Sequence, residues 1–257
     1  MLVSALALSR ATVGPEENRL RSTELSFDIK RQPDGTTCGP TCLHAVYRYY
    51  GDTISLPEVI AETLQLDDGG TLSVWLARHA LQRGYQTTIF PYNLQVFDPT
   101  WSGLPPEAIA QKLKRQLDWK GELPGFRRIS NAYLEYLRLG GELKFEVMTA
   151  ALIRRYLKKS IPILTGLSVT YLYGTAREVD VDGQSVFDDV RGESAGHFVV
   201  LAGYNRENRS VLIADPFVPN PVASSRYYTV NIYRLICAIM LGILTYDGNI
   251  LVIRKRK

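Results

Sequence analysis

The sequence predicts an α+β fold: a helical N-terminal part packed on a mostly antiparallel C-terminal sheet. Apolar residues recur at helical spacing through the first two thirds of the chain, and short β-rich runs replace them in the last third. Proline is tolerated only in the first turn of a helix. Pro40 therefore places Cys38 at a helix start.

In chain order, Cys42, Leu43, Val46, Tyr47 and Tyr50 give the segment 38–50 one apolar helical face. Shorter helices are expected over 52–64 and 71–83, the second introduced by Gly69-Gly70. Residues 86–92 read as a strand. Residues 104–119, 130–139 and 145–159 read as helices, separated by glycine-bearing breaks at 121–125 and 140–141. Strands are expected over 161–169, 198–204, 211–214, 227–230 and 250–253, with 205–209 as a hairpin connection. The acidic stretch 178–194 reads as a mobile loop just before His197. The apolar run 235–244 is too short to span a bilayer and reads as a buried element. Tyr92, Phe97, Trp101 and Trp119 are expected in the core, and the region 86–146 is expected to build a cleft wall. We expect one domain over 1–257, helical over roughly 25–160 and sheet-forming over 161–257.

Composition narrows the function. The 30 Lys and Arg exceed the 26 Asp and Glu by four, and Arg254-Lys255-Arg256-Lys257 alone supplies that excess. The body is neutral, so no broad positive field for nucleic acid is expected. The apolar start, Met1 to Leu8, lacks a basic leading region and is interrupted by Arg10, so it does not read as a secretion signal. Three cysteines are too few and odd in number for a disulfide framework. They fit a reducing, cytoplasmic setting in which a thiol stays free.

Cys38, His197, Asp215 and Gln32 form the candidate catalytic set. A thiol acting on an acyl group needs a base, an orienter for that base and donors for the oxyanion. A helix N-terminus favours the thiolate of Cys38. His197 begins a predicted strand and Asp215 ends the next one, so the two can meet across a hairpin. Gln32 can donate its amide to the oxyanion together with the Cys38 backbone N–H. Taken singly, each residue also has an ordinary structural explanation; their order and offsets together favour the chemical one. Cys42, one turn after Cys38, reads as a packed core thiol. His44 and His79 have no metal-ligand partners at useful spacing, and Gly69-Gly70 is not followed by a phosphate-loop Gly-Lys-Ser/Thr, so no metal and no cofactor is expected.

These motifs resemble a known family. Cys38-Gly39-Pro40-Thr41-Cys42-Leu43 with the preceding Gln32, Gly196-His197-Phe198-Val199-Val200 and Ala214-Asp215-Pro216 are similar to the motifs of family 39 of the cysteine peptidases. These are papain-like domains best known for cutting leader peptides after a Gly-Gly pair. The resemblance implies a papain-like fold, Cys38 as nucleophile, His197 as base, Asp215 as orienter, Gln32 as oxyanion donor and a peptide-like substrate. Cys38 and His197 are 159 residues apart here, a wider spacing than in the compact leader-cutting domains. A shorter similarity, including the 18-residue spacing from His197 to Asp215, is to phytochelatin synthase, which transfers γ-glutamyl-cysteine units. The expected activity is hydrolysis of a peptide or amide bond through a thioester. The alternatives are acyl or γ-glutamyl transfer and a catalytically silent peptide-binding module.

Overall fold

A computed structural model describes residues 22–67, 69–242 and 248–256. The apolar start and the end of the 235–244 run lie outside the described residues. The ten described strands are β1 (Ser22–Glu24), β2 (Gln86–Pro91), β3 (Glu142–Leu143), β4 (Ile163–Ser168), β5 (Glu178–Val181), β6 (Gln184–Phe187), β7 (Gly196–Asn205), β8 (Ser210–Ala214), β9 (Tyr227–Asn231) and β10 (Asn249–Arg254). The described α-helices are α1 (Cys38–Tyr49), α2 (Leu56–Glu62), α3 (Ser73–Gln82), α4 (Pro106–Lys120), α5 (Phe126–Arg138), α6 (Ala150–Leu157), α7 (Val169–Tyr173) and α8 (Ile232–Leu241).

The main sheet runs β3-β2-β10-β4-β7-β8-β9, and β1 pairs with the far end of β7. Every pairing is antiparallel except β2 with β3. The class is α+β, as expected, but the parts interleave. Strands β1, β2 and β3 come from before residue 161, while α7 and α8 come after it.

The sheet is covered on both faces, and strand alternation shows why. Leu251 and Ile253 of β10 and Val200 of β7 enter a core with α1, α3, α4 and α5. Ile250, Val252, Val199 and Leu201 enter a second core with α6, α7 and α8. Central strands that bury both faces carry continuous apolar runs, and period 2 then separates two cores rather than core from solvent.

Several expectations fail. The described part of the run 235–244 is not buried throughout: it ends α8, whose Leu235, Ala238 and Ile239 are buried while Cys237, Met240 and Leu241 are exposed. The segment 178–194 is not an unstructured loop. β5 and β6 form a separate hairpin, with Val179 opposite Val186 and Val181 opposite Gln184. Its turn uses Asp182 at φ 55° followed by Gly183 at φ 78°, so an Asp-Gly turn signal sat inside the acidic run. Trp119 is 88% exposed and lies outside the core, whereas Phe97 and Trp101 are buried within it. Near the C-terminal end of α4, the helical stripe has rotated Trp119 to the solvent side.

Candidate active site

The site forms where the start of α1 meets β7. Cys38 is the first residue of α1, and Pro40 falls in its first turn. Before it, the carboxylate of Asp34 accepts from the Thr36 N–H at 2.8 Å, the Thr36 hydroxyl at 2.9 Å and the Thr37 N–H at 3.0 Å. These bonds shape the loop that delivers Cys38. Two contacts fix α1 against the sheet. The Cys42 thiol donates to the Phe198 carbonyl at 3.3 Å, beside His197. Gly39 lets the helix start come close: a Cβ there would lie 2.5 Å from Thr71 Cγ2 and 3.2 Å from the Phe198 ring. Cys42 is thus the packed core thiol that the sequence suggests, and burial pushes its thiol well above the ordinary cysteine range.

On the sheet, β7 pairs with β4 so that His197 lies opposite Leu167, and Val200 of β7 lies opposite Ala214 of β8. That register puts Asp215, just past β8, beside His197. The His197 Nε2–H donates to Asp215 Oδ1 at 2.8 Å. The other ring nitrogen, Nδ1, takes no part in that bond, and Cys38 stands close enough for its charge to act on the imidazole; both residues line the same cleft. The Phe217 ring stands edge-on to the imidazole at 6.2 Å. Histidine and aspartate are thus joined directly, and Cys38 shares their cleft.

The electrostatics follow from burial and charge. Burial alone would lower the His197 pKa, but the charges of Asp215 and Cys38 outweigh it and hold it up at about 10. Burial alone would raise the Asp215 pKa. The His197 charge and the bonds from His197, Tyr228 and the Phe217 N–H outweigh that and hold it below the usual carboxylate range. The pair is an imidazolium facing a buried carboxylate.

Gln32 is buried near the same point, and its backbone N–H donates to the Pro216 carbonyl at 3.0 Å, tying its loop to Asp215-Pro216. Its side-chain amide donates to the Asp34 carbonyl at 2.7 Å, while its Oε1 is buried without a partner. His44 and His79 are not part of the site. His79 is buried between the Tyr47 hydroxyl at 2.7 Å and Glu62 at 3.0 Å. Among the described residues no cluster of His, Cys, Asp or Glu is arranged to hold a metal ion.

Cys38 and His197 open into a cleft of about 610 Å³. The cleft is lined by the loop carrying Gly69, Gly70 and Thr71, by Arg128 and Ile129 of α5, and by Glu193. The expected wall-building region, 86–146, reaches the cleft through α5. Arg128 and Asp67, both lining it, pair at 2.7 Å. The sequence also gives no warning of Tyr173 and Tyr228, whose hydroxyls donate to Asp215 Oδ2 at 2.8 Å and 2.7 Å. A tyrosine in a strand or short helix reads as ordinary packing, and only the folded register shows its hydroxyl's target.

Residues 125–235 match the model of the Peptidase_C39 like family. The matched stretch holds His197 and Asp215 and does not reach Gln32 or Cys38. No curated protein matches the chain. Similar solved structures include xylellain, a cysteine protease from Xylella fastidiosa, at 16% identity and a TM-score of 0.47, covering 99% of this chain and 95% of that one. A double glycine motif protease from an AMS/PCAT transporter, solved in complex with the leader peptide, is 13% identical with a TM-score of 0.42, covering 91% and 95%. The peptidase domain of Streptococcus ComA, a bi-functional ABC transporter involved in quorum sensing, is 12% identical with a TM-score of 0.40, covering 90% and 99%. Among the described residues no helix is long and apolar enough to cross a membrane.

Proposed function

We propose that the protein is a papain-like cysteine peptidase that hydrolyses a peptide or amide bond through a thioester. The observation that carries this reading is the hydrogen-bonded His197–Asp215 pair with His197 and Cys38 lining one open cleft. The match of residues 125–235 to a peptidase family supports it.

In this mechanism Cys38 attacks the carbonyl carbon as a thiolate, its proton having passed to His197 Nδ1. Asp215 holds the imidazole through Nε2 and stabilises the imidazolium, so Nδ1 stays aimed at sulfur. The Cys38 backbone N–H, free at the helix start, and the amide of Gln32 receive the oxyanion. For Gln32 this requires its Nε2 to turn from, or share, the Asp34 carbonyl. As the tetrahedral intermediate collapses, His197 protonates the leaving amine. Water, deprotonated by His197, then attacks the thioester, and the acid product leaves with the thiol restored.

The test is a peptide library digested by wild type, Cys38→Ala and His197→Ala, read by mass spectrometry, with parallel labelling by a peptidyl electrophile. Cleavage that vanishes in both variants, with a single adduct on Cys38, is the expected result. An intact library, together with labelling of Cys38 no faster in wild type than in His197→Ala, would leave the chain a binding module.

A further inference from the structure

Asp215 is fully buried, yet its carboxylate has no unfilled acceptor site. Oδ1 receives the His197 Nε2–H at 2.8 Å and the Phe217 N–H at 2.9 Å. Oδ2 receives the Tyr173 hydroxyl at 2.8 Å and the Tyr228 hydroxyl at 2.7 Å. A carboxylate offers about four lone-pair sites, and here four donors meet them. The two tyrosines come from different elements, Tyr173 being the last residue of α7 and Tyr228 a residue of β9. Burial first, and then the neighbouring Asp215 charge, push both phenols far above the ordinary tyrosine range, so both stay protonated and act as donors.

This set of donors distinguishes an acid from an amide. An asparagine keeping its oxygen toward His197 and Phe217 would turn its NH₂ toward the two phenols. Their protons would then lose their acceptor. Flipped, it would point NH₂ at the His197 and Phe217 N–H groups, donor against donor. An unmade buried hydrogen bond costs more than a made one contributes. The charge on the orienting residue is therefore matched to its two phenols.

On the basis of the peptidase reading above, we propose that Tyr173 and Tyr228 are positioning residues: together they hold Asp215 as an ionised acceptor and so fix His197 with its Nε2–H inward and its Nδ1 toward Cys38. They touch neither substrate nor sulfur in this role and act through Asp215.

The test reads the His197 Nε2–H directly by NMR of protein labelled with ¹⁵N-histidine at pH 7, assigned by its loss in His197→Gln. Wild type should show a downfield, slowly exchanging proton on Nε2. Tyr173→Phe and Tyr228→Phe should each speed its exchange about tenfold, the equivalent of one charge-assisted hydrogen bond. Asp215→Asn should then speed exchange more than about tenfold in the tyrosine background and less than about threefold once both phenols are gone, the sign of direct coupling. Unchanged exchange in the single and double phenylalanine variants, or an equal effect of Asp215→Asn in both backgrounds, would overturn the inference. If the double variant does not fold, the single variants, each keeping one hydroxyl, decide it. The signal does not depend on turnover. An ordered Nε2–H in a protein that cleaves nothing would sink the peptidase reading and leave the clamp in place.

Discussion

Replacing Asp215 with asparagine removes the charge that keeps His197 protonated, and the consequence should be visible in stability alone. The His197 pKa is held up at about 10 in the folded protein against an ordinary value of 6.5. A group whose folded pKa is raised contributes stability that is fully present below the unfolded pKa. That stability is lost as pH rises through the folded value. Between pH 6.5 and 10 native His197 therefore holds a proton that the unfolded imidazole has released, and the His197 contribution to stability falls by about 1.4 kcal/mol per pH unit. Over the whole window the fall approaches roughly 4 kcal/mol, a large share of the ordinary stability of a domain. In Asp215→Asn, burial acts on His197 with only the Cys38 charge opposing it, so this fall should shrink. Asp215 makes its own contribution at the other end of the scale. Its pKa is depressed, so that contribution is lost only as pH falls below the ordinary carboxylate value of 3.8.

The assay is equilibrium urea denaturation of wild type and Asp215→Asn at half-unit steps from pH 5 to 10.5. The stability difference should be largest near pH 6 and shrink steadily above it. In Cys38→Ala the fall should end at lower pH than in wild type, because Cys38 supplies part of the charge that holds His197 protonated. A wild-type-minus-Asp215→Asn difference that stays level from pH 6.5 to 10 would refute the ion-pair argument, whatever the size of the difference.

Three further outcomes follow from the site. Gln32→Ala should lower kcat by roughly 10²–10³-fold with little change in KM, since an oxyanion donor matters most when charge develops; a raised KM with unchanged kcat would assign Gln32 to ground-state binding. Gly39→Ala should destabilise the start of α1 by about 1–3 kcal/mol, because its Cβ would meet Thr71 Cγ2 at 2.5 Å. Adding Thr71→Ser, which removes that methyl but keeps the hydroxyl bond to the Leu64 carbonyl, should restore both melting temperature and Cys38 labelling. The β5–β6 hairpin should gate the cleft: Glu193 lines it and its backbone pairs with Glu178 at the hairpin's base. Occupying Cys38 with a covalent inhibitor should slow hydrogen exchange across residues 178–194; unchanged exchange there would leave the hairpin an unconnected excursion.

The fold class was legible because two periodicities differ so plainly. Residues 38–50 repeat at helical spacing, and Pro40 limits where that helix can start, so the sequence alone puts Cys38 at its first residue, where the fold has it. The short strands of the last third are legible from their β-rich apolar runs instead. The interleaving was not. β2 pairs with β10 across the chain, Gln86 opposite Arg254, and no local signal encodes a partner that distant. The hairpin at 178–187 escaped because its composition is acidic and polar, and composition outweighed the Asp182-Gly183 turn that closes it. Its apolar side chains, Val181, Val186 and Phe187, remain exposed, so burial did not mark it either.

For the candidate site, the sequence supplies the groups proposed to react more readily than the groups that hold them. A cysteine at a helix start, a histidine after a glycine and an aspartate at a strand end are recognisable because the chemistry restricts their residue types. The supporting contacts carry no such restriction. Cys42 is tied to the carbonyl of Phe198, Gln32 to the carbonyl of Pro216, and both bonds use the sheet register as their template. Asp215 shows the difference most sharply. From the chain alone it is an acid before a proline, a pattern typical of a turn. In the fold it is a buried anion with four donors, and two of those are phenols from elements that had no reason to be read together. An unpaired carboxylate at that depth would take up a proton or open the structure. The charge persists there because His197 faces it and because β9 and α7 deliver hydroxyls to it. The acid's identity is therefore a property of three elements at once, and this explains why its residue type was readable while its environment was not.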